Sequence, residues 1–161
     1  MTSREGDFER SVLPHAPSLL RFGLRLAGDV SQAEDLVQET LLLAWRGFGR
    51  FEAGSNVRAW LFRILLNVVR QQRRKSQSSR AFAPSARAVP VTRPPGDESV
   101  EVRQAFDRLG GDQRTVLLLA AVEGFTCREI SEILGVPIGT VMSRLSRARE
   151  AMRELLSGVM Q

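Results

Sequence analysis

Apolar residues recur at intervals of three and four along most of this chain, the spacing that places them on one side of an α-helix. In the first quarter, the stretch LLRFGLRLAGD forms such a stripe, and we expect this helix to begin near Pro17 and to end at Gly28. The S-x-x-E pattern at Ser31 and Glu34 predicts a capping box that opens a second helix, which runs to about Arg46. The first part of the chain is therefore predicted to be helical.

A third helix is predicted from about Asn56 to Lys75, and its two sides differ. From Arg63 to Lys75 the polar side has five basic residues and no acidic one. A solvated surface helix usually mixes charges, so this run favours a nucleic-acid partner over simple solvation. Trp60 is assigned to the core, although its ring could also stack on a base. The predicted apolar stripe is Val57, Trp60, Leu61, Ile64, Leu65 and Val68.

The segment between Ser76 and Asp97 is rich in Ser, Ala and Pro and has no sustained period. This composition predicts a flexible linker that separates two helical parts. The predicted fold is all-α, with two small domains at 8–75 and 98–157 joined by the linker at 76–97.

The second domain contains the pattern of a helix-turn-helix. Thr126 and Glu129 predict a capping box, and Gly135 stands where a short helix must end in a tight turn. A last helix follows within a few residues, with Val141 on its core side. A short capped helix, a glycine turn and a second helix together indicate a DNA-binding module.

The last helix has a polar outward side that could enter a major groove, although a solvated surface helix would show a similar pattern. Gly139 falls in its first turn, where backbone N–H groups attract a phosphate oxygen. The side chains predicted to reach the groove are Thr140, Ser143, Arg144 and Arg147, flanked by Met142 and Ser146.

The net charge supports a polyanionic partner. The chain has 23 Lys and Arg against 18 Asp and Glu, which gives a net charge of +5. All of these cations except Lys75 are arginines, the side chain suited to phosphate and guanine. A GC-rich coding sequence would produce the same bias, so both explanations stay open.

Several function classes are disfavoured. A single cysteine, Cys127, excludes an internal disulfide, and with one histidine, His15, there are too few ligands for most metal sites. There is no glycine-rich phosphate loop, so we expect no catalysis, no cofactor and no small-molecule substrate. No apolar run is long enough for a membrane span, and we expect a cytoplasmic protein without membrane association.

Three stretches resemble the extracytoplasmic-function (ECF) class of bacterial sigma factors. The stretch AEDLVQETLLLAW resembles the family's region 2.2, and FEAGSNVRAWLFRILLNVVRQQRRK resembles its regions 2.3 and 2.4. The stretch EGFTCREISEILGVPIGTVMSRLSRARE resembles its region 4.2. The resemblance implies a protein that binds core RNA polymerase and directs initiation at promoters with −35 and −10 elements.

The resemblance also implies roles for individual residues. The β′ clamp helices of the polymerase would bind Asp35, Gln38, Glu39 and Leu42, and the β flap would be a second polymerase contact. The residues implied in −10 recognition and melting are Asn56, Arg58, Arg63, Asn67, Arg70, Arg73 and Arg74. Those implied in −35 recognition are Gly139, Thr140, Met142, Ser143, Arg144, Ser146 and Arg147.

The partners expected for such a protein are core RNA polymerase, promoter DNA and an anti-sigma factor. Two other functions stay open. One is a sigma-like decoy that sequesters an anti-sigma factor. The other is a two-domain repressor, which would leave the DLVQET stretch unexplained.

Overall fold

The computed structural model describes residues 3–78 and 100–159. These ranges are helical and contain no strand, which confirms the all-α prediction. The chain divides into two compact units, Met1–Val91 and Thr92–Gln161. The predicted linker lies outside the described residues except for 76–78, which continue the preceding helix.

The helices of the first unit are α1 (Ser3–Ser11), α2 (Ala16–Ala27), α3 (Val30–Gly47) and α4 (Val57–Ser78). Single 3₁₀ turns lie at Leu13–His15 and Phe48–Arg50. The helices described in the second unit are α5 (Val100–Asp107), α6 (Gly111–Leu117), α7 (Cys127–Leu134) and α8 (Ile138–Val159), with a π-helical turn at Leu118–Val122 after α6.

The core of the first unit lies between α2, α3 and α4. The rings of Phe22 and Phe62 meet edge to face with their centroids 5.1 Å apart, and neither is exposed. Gly23 of α2 packs against Ala33 of α3, where an added Cβ would make an ordinary contact of 3.6 Å with the Ala33 Cβ. The aromatic contact between Phe22 and Phe62 packs α4 against α2.

Two helix boundaries in this unit follow local signals, and one predicted cap is wrong. Helix α2 ends at Gly28, which adopts φ +70°, as the sequence predicts. The capping box at Ser31 and Glu34 does not form. Asp29 caps α3 instead, and its carboxylate accepts a hydrogen bond of 2.8 Å from the backbone N–H of Ser31. Aspartate is as good an N-cap as serine, so the helix begins at Val30, two residues before the start that a cap at Ser31 predicts.

Helix α1 was not predicted from the sequence. Its Phe8 ring packs edge to face on Trp45 and Phe48, with centroids 5.1 and 5.3 Å away. Arg4 lies over the Trp45 ring and donates a 2.7 Å hydrogen bond to the Trp45 carbonyl. These contacts join residues about forty positions apart, which a local pattern cannot reveal.

The buried side of α4 is wider than the predicted stripe. Phe62, Leu66 and Val69 are buried beside the predicted Leu61, Leu65 and Val68. The remaining predicted core residues, Val57, Trp60 and Ile64, are only half-buried. Helix α4 therefore packs with one broad side and leaves a narrower polar stripe.

In the second unit, α6 is followed by a π-helical turn before the chain reaches Gly124. After Leu117 the helix widens, and the N–H of Glu123 donates to the carbonyl of Leu118, five residues back. Gly124 then reverses the chain at φ +72°. The widened turn places Phe125 in the core directly before α7.

The helix-turn-helix is formed by α7 and α8. The capping box is present, with Thr126 and Glu129 bonded reciprocally at 2.8 and 3.2 Å. Gly135 ends α7 at φ +64°, and the Ser131 hydroxyl donates a 2.6 Å hydrogen bond to the carbonyl of Val136. These bonds hold the turn, and Val141 enters the core with no exposed surface.

Candidate nucleic-acid and partner interfaces

Four polar side chains form an exposed stripe along α4. Arg63, Asn67, Arg70 and Arg74 follow one another at intervals of four, three and four, which places them on one side of the helix. Helix α4 contains no acidic residue. The stripe is therefore a concentrated positive surface, of the kind that binds the phosphate backbone of single-stranded or duplex nucleic acid.

Two predicted members of this surface lie elsewhere on α4. Arg73 is exposed, but it lies about 90° round the helix from the stripe. Arg58 is half-buried on the opposite side, with its guanidinium 5.3 Å from the centre of the Phe62 ring. The structure thus separates Arg58 from the arginines with which the sequence grouped it.

Asn56 also has a structural role that its position in the sequence does not predict. Its side-chain carbonyl accepts a 3.0 Å hydrogen bond from the N–H of Ala59, so it caps the first turn of α4. Asn56 is exposed at the end of the loop that precedes the helix. The cap orients this loop relative to the arginine stripe.

An aromatic cleft of about 410 Å³ adjoins the stripe. The rings of Phe51 and Trp60 form part of its wall, with centroids 4.8 Å apart and planes tilted by 37°. Asn67 belongs both to this cleft and to the stripe. The predicted core position of Trp60 is therefore only partly correct, because one part of the ring lines an open cleft.

The four candidate polymerase-binding residues share one exposed surface of α3. Asp35, Gln38, Glu39 and Leu42 line a groove of about 420 Å³, and Leu42 is 44% exposed. The opposite wall comes from α4 and was not predicted. Its residues are Val68, Gln71, Gln72 and Lys75. Two carboxylates and an exposed leucine thus line one side of a groove that also contains a cation.

The outward side of α8 differs in part from its prediction. Gly139, Met142, Ser143, Ser146 and Arg147 are exposed, as predicted for groove contact.

Thr140 and Arg144, by contrast, are half-buried. An Arg144 Nη2 atom lies 3.4 Å from an Asp112 carboxylate oxygen at the start of α6. The Arg144 side chain is 29% exposed, so it points along the flank of α8 rather than straight outward. Asp112 gives no sequence signal for this role, because the two residues are far apart in the chain.

Among the described residues, the pKa of His15 is shifted from its ordinary value. Burial, and then the positive charge of Arg58, lower the pKa of the His15 imidazole below its ordinary value.

Residues 3–78 and 100–159 contain no group of three His, Cys, Asp or Glu side chains that could hold a metal ion. Nor does any helix in these ranges have the length and apolar character to cross a bilayer.

Comparison with known proteins identifies matches for both units. Residues 12–79 match the family described as Sigma-70 region 2, and residues 99–152 match Sigma-70, region 4. The ECF RNA polymerase sigma factor EcfG of Rhodopseudomonas palustris (strain TIE-1) is 40% identical over 149 residues, which cover 90% of this chain and 82% of that protein.

Two further proteins are similar over most of their length. The RNA polymerase sigma factor CarQ of Myxococcus xanthus is 33% identical over 92% of this chain and 88% of its own. The structure of the sigma factor RpoE, solved in complex with the anti-sigma factor NepR from Bartonella quintana, superposes with a TM-score of 0.80. It is 37% identical, and the match covers 94% of this chain and 97% of that chain.

Proposed function

Because the chain belongs to the ECF family of bacterial RNA polymerase sigma factors, we propose that its two units divide promoter recognition between them. The protein binds core RNA polymerase and promoter DNA and directs promoter-specific transcription initiation. It is a transcription regulator, and the polymerase supplies the catalysis. The first unit would act at the −10 element and the second at the −35 element.

One observation supports this division more than any other. Each unit has its own cationic surface, and the two surfaces lie on different kinds of helix. In the first unit it is the acid-free stripe on α4, and in the second it is the outer side of α8 in the helix-turn-helix. A helix-turn-helix is suited to intact duplex, because its second helix fits a major groove. A cationic stripe beside an aromatic cleft is suited to an opened strand, because it can hold both phosphates and an unstacked base.

The groove between α3 and α4 is the proposed docking site for the polymerase clamp helices. Leu42 is an exposed apolar residue within a polar surface, so it gains burial only when a partner covers it. Asp35 and Glu39 lie on the same wall and can pair with cations on that partner. We also propose an anti-sigma factor of the NepR kind as a partner, since RpoE binds such a protein and shares 37% identity with this chain.

The function is tested by run-off transcription with core polymerase on fragments of bacterial genomic DNA. We expect core polymerase alone to give no defined products, and the addition of this protein to produce start sites that share a −35 and a −10 element. The protein alone should bind duplex promoters weakly.

Other outcomes of this assay distinguish the two alternative functions. A decoy would give no new start site, whatever its affinity for an anti-sigma factor. A repressor would bind duplex tightly without polymerase and would lower rather than create transcripts.

Charge reversal in the groove tests the docking site. We expect the double variant Asp35→Lys, Glu39→Lys to bind core polymerase about tenfold more weakly or worse, because like charges would then face each other. A pull-down with purified core enzyme measures this, and circular dichroism checks the fold. The variant Glu9→Lys, Glu52→Lys makes the same charge change at exposed positions outside the groove and should bind as the unmodified protein does. Equal binding by both variants would show that the carboxylates do not contact the polymerase.

A further inference from the structure

Two apolar side chains are exposed on the candidate −35 helix. Met142 has 57% of its surface accessible, the highest value among the large apolar residues of the described ranges, and Ile138 has 46%. They are four residues apart in α8, so they lie next to each other on one side. The neighbouring core residues Val141 and Leu145 are buried, so the exposed pair does not serve the fold of this unit.

The surroundings of this pair identify the kind of partner that would cover it. The twelve residues from Ile138 to Arg149 include three arginines and no carboxylate. Ser143 and Ser146 are exposed beside Met142. An apolar protein surface would have to desolvate these cations on binding, whereas a DNA groove would neutralise them. The charge pattern therefore favours duplex DNA as the occupant.

The major groove offers one apolar group, the 5-methyl group of thymine. We propose that Met142, flanked by Ile138, is a specificity-determining residue that contacts a thymine methyl group in the −35 element. This inference rests on the proposed assignment of α8 to that element. The methionine side chain is unbranched and flexible, so it can follow a methyl group at the floor of the groove.

With this contact, different residues of α8 would recognise the DNA by apolar and by polar contacts. Met142 has no hydrogen-bond donor and its sulfur is only a weak acceptor, so it would favour thymine by burying its methyl group and would disfavour bases with a polar group at that point. Ser143 and Arg147 are exposed and have the donors needed for base or phosphate oxygens. Helix α8 would thus distinguish between base sequences by an apolar contact and by hydrogen bonds.

A methyl-deletion scan tests the proposal with the holoenzyme. Each thymine of the mapped −35 region, on either strand, is replaced singly by deoxyuridine, which removes only the 5-methyl group. We expect one such replacement to weaken holoenzyme binding about fourfold, the effect of one buried methyl group. The same replacement should have no effect on holoenzyme containing the Met142→Ala variant.

The control variant is Val100→Ala, which truncates a similarly exposed apolar residue on α5 and should leave the uracil effect intact. Equal binding to all uracil substitutions by the unmodified protein would overturn the proposal. So would a uracil effect of the same size in the Met142→Ala holoenzyme, because another residue would then contact the methyl group. Failure of the holoenzyme to bind unmodified promoters through the −35 region would instead overturn the proposed function of α8.

Discussion

At the scale of single residues, Arg144 and Arg147 on α8 differ in their surroundings. Arg144 is paired with Asp112 at 3.4 Å, and the Asp112 side chain is 73% exposed. A pair this exposed contributes only about 0–1 kcal/mol to folding. In this structure the pair directs the Arg144 guanidinium towards α6. Arg147 has no such restraint among the ion pairs described and stands fully on the outer side.

At the same scale, His15 makes stability depend on pH. The unfolded chain protonates this imidazole near 6.5, whereas burial and Arg58 give the folded protein a lower pKa. Below about pH 6.5 the unfolded state therefore binds more protons, and the free energy of unfolding falls as the pH decreases through this range. Urea denaturation at several pH values between 8 and 5 measures the effect. We expect the His15→Gln variant to lose less stability on acidification, and parallel profiles would contradict this.

At the scale of elements, α4 has two sides with separate roles. Its broad apolar side, which includes Leu61, Phe62 and Leu65, is buried against α2 and α3. Its narrow polar stripe is exposed along several turns. Substitutions in the stripe can therefore change DNA binding without disturbing the core.

The stripe makes a quantitative prediction about salt dependence. Each phosphate contact contributes about 0.7 to 0.9 to the slope of log affinity against log salt. The triple variant Arg63→Ala, Arg70→Ala, Arg74→Ala should lower the slope for holoenzyme binding to promoters by about two to three.

A matched variant separates local contacts from net charge. Arg10→Ala, Arg21→Ala, Arg46→Ala removes three exposed arginines from α1, α2 and α3, and we expect an unchanged slope. Similar slopes for the two triple variants would mean that the stripe does not contact phosphate.

At the scale of the whole molecule, the two proposed DNA surfaces belong to different compact units. Helix α4 ends at Ser78 and α5 begins at Val100, so residues 79–99 connect them. Fully extended, this segment reaches about 70 Å, close to two turns of DNA at about 34 Å each. Its length is therefore sufficient for simultaneous contact with two promoter elements.

Shortening the segment should separate core binding from promoter use. Deletion of residues 82–91 would leave a maximum reach of about 40 Å. We expect this variant to bind core polymerase normally but to lose most promoter-dependent transcription in the run-off assay. A Gly-Ser segment of the original length at the same positions should retain activity. Full activity of the deletion would show that reach is not limiting.

Local chemistry made much of this protein predictable from its sequence. The end of α2 at Gly28, the capping box at Thr126 and the turn at Gly135 each depend on residues within one helical turn, and the structure confirms all three. The acid-free side of α4 follows from the same period. These features were sufficient to predict an all-α protein with a helix-turn-helix and its family resemblance.

The tertiary structure decided what depends on distant partners. Helix α1 is held by Trp45, and Arg144 is turned aside by Asp112, a residue on another helix. The sequence by itself determined the helices after α1 and which of their sides are polar, because helical period and capping are local. Only the packing of helices against one another decided which of those polar side chains remain available to a partner.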